Sequence, residues 1–162
     1  MYANDWLQLA LFIGLLALIT KPLGVYLTRV LDANGKVADK RWTFTKKYLT
    51  LQQDPNNSDA QKLGTFNPHT WGAYVLNGEV FIKQAVGDVH ASYPDFGCSF
   101  ETFTNSEFLE METLSPLKKV APGETVEQTE HWSLHKNVRL KELTDAAIDA
   151  VISPLLDPAK AD

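Results

Sequence analysis

Two carboxylates lie two residues apart in Phe108-Leu109-Glu110-Met111-Glu112-Thr113-Leu114. If this stretch is a strand, alternation puts Phe108, Glu110, Glu112 and Leu114 on one face and Leu109, Met111 and Thr113 on the other. Side chains two apart on a strand are about 7 Å from each other. Like charges at that range, bracketed by hydrophobes, can raise the pKa of one carboxylate enough for general acid or base chemistry. The same pattern also describes a solvated edge strand whose glutamates block aggregation. Glu101, in Cys98-Ser99-Phe100-Glu101-Thr102-Phe103-Thr104-Asn105, joins the acidic pair if the two runs are neighbours, and the three glutamates are then expected to line one hollow.

Other side chains carry weaker signals. Lys83, ending Glu79-Val80-Phe81-Ile82-Lys83, is a solvated strand end or an anion ligand. Trp71, Tyr74 and Trp132 have the flat faces that stack on sugar rings, although buried packing uses the same residues. On one strand, His131 and His135 share a face but stand roughly 13 Å apart, too far to share a metal. No metal and no cofactor is expected: the lone Cys98 has no cysteine neighbour, and neither a glycine-rich phosphate loop nor a nucleophile elbow occurs. A net charge of −5 with no Lys/Arg cluster argues against a nucleic-acid partner.

The elements that would position these groups are mainly strands. In 162 residues, 44% apolar and 22% charged, there is room for one globular domain and an appendage. From about residue 36, short apolar or alternating runs are separated by turn signals: Arg41 to Gln52, Trp71 to Leu76, Glu79 to Val86, Cys98 to Thr104, Phe108 to Leu114, Leu117 to Val120 and Thr125 to His135. Asn77-Gly78 predicts a two-residue type I′ hairpin, because that turn needs positive φ at both central positions. Pro122-Gly123 predicts a second reversal and Tyr93-Pro94-Asp95-Phe96-Gly97 a further turn. After Asn137, Leu140, Leu143, Ala147, Ile148, Val151 and Ile152 recur at helical spacing, an amphipathic helix that Pro154 stops. The fold class is therefore mainly β, an antiparallel sandwich with an N-terminal hydrophobic helix over residues 1–35 and a C-terminal amphipathic helix closing residues 36–162.

The N-terminal segment is a membrane candidate over residues 6–31. Trp6 to Thr20, 15 residues, rises about 22 Å as a helix against a hydrocarbon core of about 30 Å, so a span must continue past Pro22 toward Leu31. Asp5 before the run and Thr20-Lys21-Pro22 after it do not suit a cleaved signal peptide. Lys21, Arg29, Lys36, Lys40 and Arg41 all follow the run, which places the following β domain in the cytoplasm, anchored to the membrane; without a genuine anchor the chain is simply cytoplasmic.

Two resemblances attach to particular residues. Trp6 through Asp32, with its Lys21-Pro22-Leu23-Gly24-Val25-Tyr26-Leu27-Thr28-Arg29-Val30 signature, resembles the first transmembrane helix of the potassium-binding subunit of Kdp-type potassium pumps. The likeness stops near Asp32, and it fits either an anchor or a fusion remnant. Residues from about 40 to 138, through Tyr93-Pro94-Asp95-Phe96-Gly97-Cys98 and Leu109-Glu110-Met111-Glu112-Thr113-Leu114 to Pro116 and Ala121-Pro122-Gly123-Glu124, resemble the C-terminal region of aldose-1-epimerase (galactose-mutarotase)-like proteins. That resemblance implies part of a galactose-mutarotase-like supersandwich, a sugar or sugar-like ligand, and Glu112 as the base that takes the anomeric hydroxyl proton; Glu101, Glu110 and Lys83 are the side chains expected to bind that ligand. Leu114 departs from the family's Gln, and the histidines that act as acid in the family come from an earlier region not found here, so the resemblance implies an incomplete enzyme. A partial sandwich also leaves an open edge, which leads us to expect self-association.

Overall fold

A computed structural model of the chain describes residues 39–156. The chain divides into two compact units, Met1–Trp42 and Thr43–Asp162, and only residues 39–42 of the first are described. The hydrophobic segment at 6–31 and the boundary at 35–36 lie outside the described residues. Within residues 39–42, Asp39 is held by Arg41 at 2.7 Å, an ion pair that keeps its carboxyl below the ordinary carboxylate range.

The described part is mainly β, built of antiparallel strands with one short C-terminal helix. A small hairpin joins β1 (Trp42–Phe44) to β2 (Leu49–Leu51). Thr45 interrupts what looked like one run, its hydroxyl accepting the N–H of Tyr48 at 2.8 Å. The remaining strands, β3 (Gln61–Thr65), β4 (His69–Leu76), β5 (Glu79–Val86), β6 (Phe100–Thr104), β7 (Leu109–Thr113) and β8 (His131–Lys136), form two three-stranded sheets ordered β3-β6-β7 and β4-β5-β8.

The β4–β5 hairpin forms where the sequence predicts it. Asn77 and Gly78 take φ of 51° and 82°, and Leu76 opposite Glu79 starts a register that runs to His69 opposite Val86. β5 is the central strand, and alternation along it buries Val80 and Ile82 completely. Over that face lies α1 (Asp145–Val151), which with its C-cap residue contributes Ile148 and Ile152 to the same core, with Trp71, Ala73, Val75 and Leu140 around them. Burying each such aliphatic side chain stabilises the fold by roughly 1.5–3 kcal/mol, so this layer holds most of the apolar driving force.

The helix begins later than its periodicity suggests. Thr144, in extended conformation, accepts the Ala147 N–H and caps the first turn. Leu140 reaches the core as a non-helical residue, so helical spacing and core contact coincide without a helix there. Pro154 falls in a 3-10 turn, Ser153–Leu155, that follows directly.

The second sheet meets the first through β4. On this strand Gly72 leaves room that a Cβ would take from the Phe100 ring and the Met111 sulfur, so one face of β3-β6-β7 turns inward and the other outward. Asp95, Phe96 and Gly97 all have positive φ, making the expected turn ahead of β6, and Gly123 with the bond from Glu124 N–H to Ala121 O makes the Pro122-Gly123 reversal. Leu117–Val120 and 125–130 are not strands, contrary to the sequence expectation. Their alternation finds no partner strand among the described residues, and β8 starts only at His131, where it meets Gln84 of β5.

Candidate functional site

The outward face of β3-β6-β7 is polar. Register puts Gly64 and Glu112 directly opposite Glu101 on its two sides, and Lys62 and Glu110 directly opposite Phe103. Side chains directly opposite on neighbouring strands share a face with Cβ atoms about 4.5–5.5 Å apart. Glu101, Glu110 and Glu112 are thus brought together, as expected if the two runs paired.

Their environments differ. Glu101 is only 3% exposed, whereas Glu110 and Glu112 are exposed. A buried carboxylate next to a second one needs a counter-charge. Lys62 supplies it, with Nζ 2.6 Å from Glu101 Oε2 and 3.6 Å from Asp95 Oδ2. The bond to Glu101 raises the Lys62 ammonium above the ordinary lysine value; burial opposes the rise, and the charges of Glu101, Asp95 and Glu112 add to it. Glu101 and Asp95 thus flank one cation.

Gly64 makes the packing possible, since a Cβ there would overlap the Cys98 sulfur and press on Glu101 Oε1. Cys98 donates to Asp95 O at 3.0 Å. Burial, then the charges of Glu101 and Asp95, push its thiol up, with Lys62 opposing. At neutral pH it is therefore a thiol and a poor nucleophile.

Two expectations need correction. Lys83 does not join the carboxylates. On β5 it lies opposite Gly72 and Trp132, so it points between the sheets, where its Nζ donates to Met111 O at 3.1 Å and pairs with Glu130 at 3.3 Å. One-strand alternation could not tell which sheet Lys83 belongs to, and the sheets separate it from the acidic face. Nor do Glu110 and Glu112 lie in a hollow: strand geometry aims both outward onto an open surface beside Phe108, itself exposed. A cleft among the described residues lies elsewhere, lined by Thr70, Ser99, Leu114, Pro116, Glu127 and His131.

Sequence reasoning missed Lys62 and Glu130. Lys62 sits in Gln61-Lys62-Leu63-Gly64-Thr65, too short and mixed to signal a strand, and its role appears only with the β3–β6 pairing. Glu130 accepts from Trp132 Nε1 at 2.9 Å and from the Thr113 hydroxyl. Of the aromatics, Trp71 packs in the helix-covered core, edge-on to Tyr48 at 5.9 Å. Trp132 is 65% exposed, under the Lys83 ammonium. His131 and His135 share a face of β8, and His135 Nε2 lies 3.0 Å from Ser133 Oγ.

Comparison with known proteins yields a short match. No family model matches the chain. No solved structure matches it. In its N-terminal region the chain is 53% identical over 39 residues to a potassium-transporting ATPase potassium-binding subunit of Koribacter versatilis. The matched stretch is 24% of this chain and spans 7% of that relative. Among the described residues no helix is long and apolar enough to cross a membrane. This chain is therefore similar, over a short stretch, to one part of a potassium-pump subunit.

Proposed function

We propose that the outward face of β3-β6-β7 binds a monosaccharide or a similar polyhydroxy molecule, with Glu112 as its base. The observation that most supports this is the directly opposed Glu101–Glu112 pair beside Lys62. Carboxylates and an ammonium on one surface match the alternating donors and acceptors of a sugar. Glu101, salt-bridged and buried, orients the ligand. Glu110, two residues along the same face, contacts it from the side. Lys83, held between the sheets, takes no part. Glu112, exposed and acceptor-only when ionised, takes the anomeric hydroxyl proton. The O–H electron pair then becomes the C=O bond as the ring C–O bond breaks, and water protonates the ring oxygen. With a base and no positioned acid, the rate gain is a fraction of what a complete acid–base pair gives.

A panel of monosaccharides followed by NMR tests this. Shift changes or faster anomer exchange are expected with at least one sugar and are lost in Glu112→Gln. No response to any sugar overturns it.

A second reading rests on the 39-residue match: a membrane-anchored protein whose first segment, residues 6–31, is related to the potassium-pump subunit and whose β domain faces the cytoplasm. Extraction from membranes only with detergent supports it, and release by salt or alkaline wash alone contradicts it.

A further inference from the structure

The two sheets end in open strands that are not alike. On β7 the edge carbonyls are already engaged: Met111 O accepts from Lys83 Nζ, and Thr113 O from Gln128 Nε2 at 3.2 Å. Side chains thus cap that edge against pairing. Among the described residues β8 shows no such cap, and no strand lies beyond it.

Hairpin geometry fixes which backbone groups of β8 face outward. A two-residue hairpin is closed by a hydrogen-bonded pair, here Leu76 and Glu79. Bonding alternates along a strand, so Val80, Ile82 and Gln84 direct their backbone groups to His135, Ser133 and His131. Trp132, Leu134 and Lys136 are left with N–H and C=O pointing to the open side. Their side chains share one face, where Trp132 and Leu134 are 65% and 60% exposed.

We propose that β8 is a homodimerisation edge, two copies pairing β8 antiparallel about a two-fold axis through Leu134. Leu134 then faces Leu134 of the second copy, and Trp132 faces Lys136. An isologous contact must be self-complementary, and this register is. The Lys136 ammonium comes opposite an indole that lies under the Lys83 ammonium and donates through Nε1 to Glu130, the carboxylate that Lys83 also pairs with. No like charges oppose each other. The apolar row Tyr74–Phe81–Leu134, cross-strand neighbours on one face, continues into its copy and makes a six-stranded sheet. This inference is independent of sugar binding, because the acidic face belongs to the other sheet.

Cysteine cross-linking of the full chain in mild detergent tests both the contact and its register. In a Cys98→Ser background, Leu134→Cys is compared with His135→Cys under mild oxidation. A hydrogen-bonded antiparallel pair has Cα atoms about 5.5 Å apart, within disulfide reach, whereas paired copies of residue 135 are offset by two positions; Leu134→Cys should cross-link about tenfold faster. Lys136→Glu should lower the dimer fraction seen by sedimentation. Equal cross-linking rates, which an association through any other segment would give, overturn the proposal. So does a chain that stays monomeric at all concentrations, or a Lys136→Glu dimer fraction equal to that of the unaltered chain.

Discussion

The β4-β5-β8 sheet and the β3-β6-β7 sheet use the same alternation to opposite ends. In the first, the outward-turned face of β5 is roofed by α1, and Val80, Ile82, Ile148 and Ile152 form a dry cluster. In the second, no helix among the described residues covers the outward face, and the most buried groups there include Glu101, held by Lys62. Apolar burial drives folding in proportion to area, whereas a buried ion pair adds little net stability and costs much when broken. One sheet therefore stabilises the domain and the other presents chemical groups.

Alterations of each sheet sharpen that contrast. The largest effect is expected at Ile82→Ala, a loss of about 2–5 kcal/mol by the lost burial and the cavity it leaves, read by chemical denaturation. Next is Gly64→Ala, where the added methyl displaces Cys98 and Glu101; a loss of about 1–3 kcal/mol is expected, together with faster labelling of Cys98 by a thiol reagent. Thr144→Ala removes the α1 cap and should cost about 1 kcal/mol, seen as a lower thermal midpoint with the acidic face unchanged. If Gly64→Ala proved neutral, the close packing of the polar face would be refuted.

A smaller effect comes from pH. The Lys62 pKa is raised in the folded state, so its contribution is fully present below the ordinary lysine value of 10.5 and is lost as pH climbs through the higher folded value. Stability should fall in that alkaline window, and Lys62→Gln should remove part of the fall. Lys47, raised by Asp149, shares the rest with Tyr48 and Cys98, which are also raised. An alkaline profile identical in Lys62→Gln would show that the ion pair contributes nothing. Asp149 works in the other direction. Its pKa is lowered by bonds from Lys47 and the Tyr48 hydroxyl, so its support for α1 is present above the ordinary carboxylate value and fades as pH falls through the lower folded one.

Much of this fold was legible where the signal is local. Asn77-Gly78 specifies its turn through backbone φ alone, and the alternation of Glu110 and Glu112 follows from the strand period. What was not legible is non-local. Nothing in the order of residues says that β6 sits between β3 and β7, so Lys62 could not be matched to Glu101, and Lys83 could not be assigned to the opposite side of the sheet. Helical spacing from Leu140 fitted both an early helix and an extended segment ending in a cap at Thr144. The run from Thr125 alternates like a strand but has no neighbour to pair with. For the candidate site, the carboxylates were found from their spacing, and their counter-ion and their openness to solvent only from the register.

The exposed carboxylate opposite Glu101 is the group expected to act on a ligand. Anomer exchange measured by NMR magnetisation transfer, with Glu112→Gln set against Glu110→Gln at equal folding stability, addresses that directly. We expect acceleration by the unaltered chain to disappear in Glu112→Gln and to survive in Glu110→Gln; equal rates in all three proteins would contradict it.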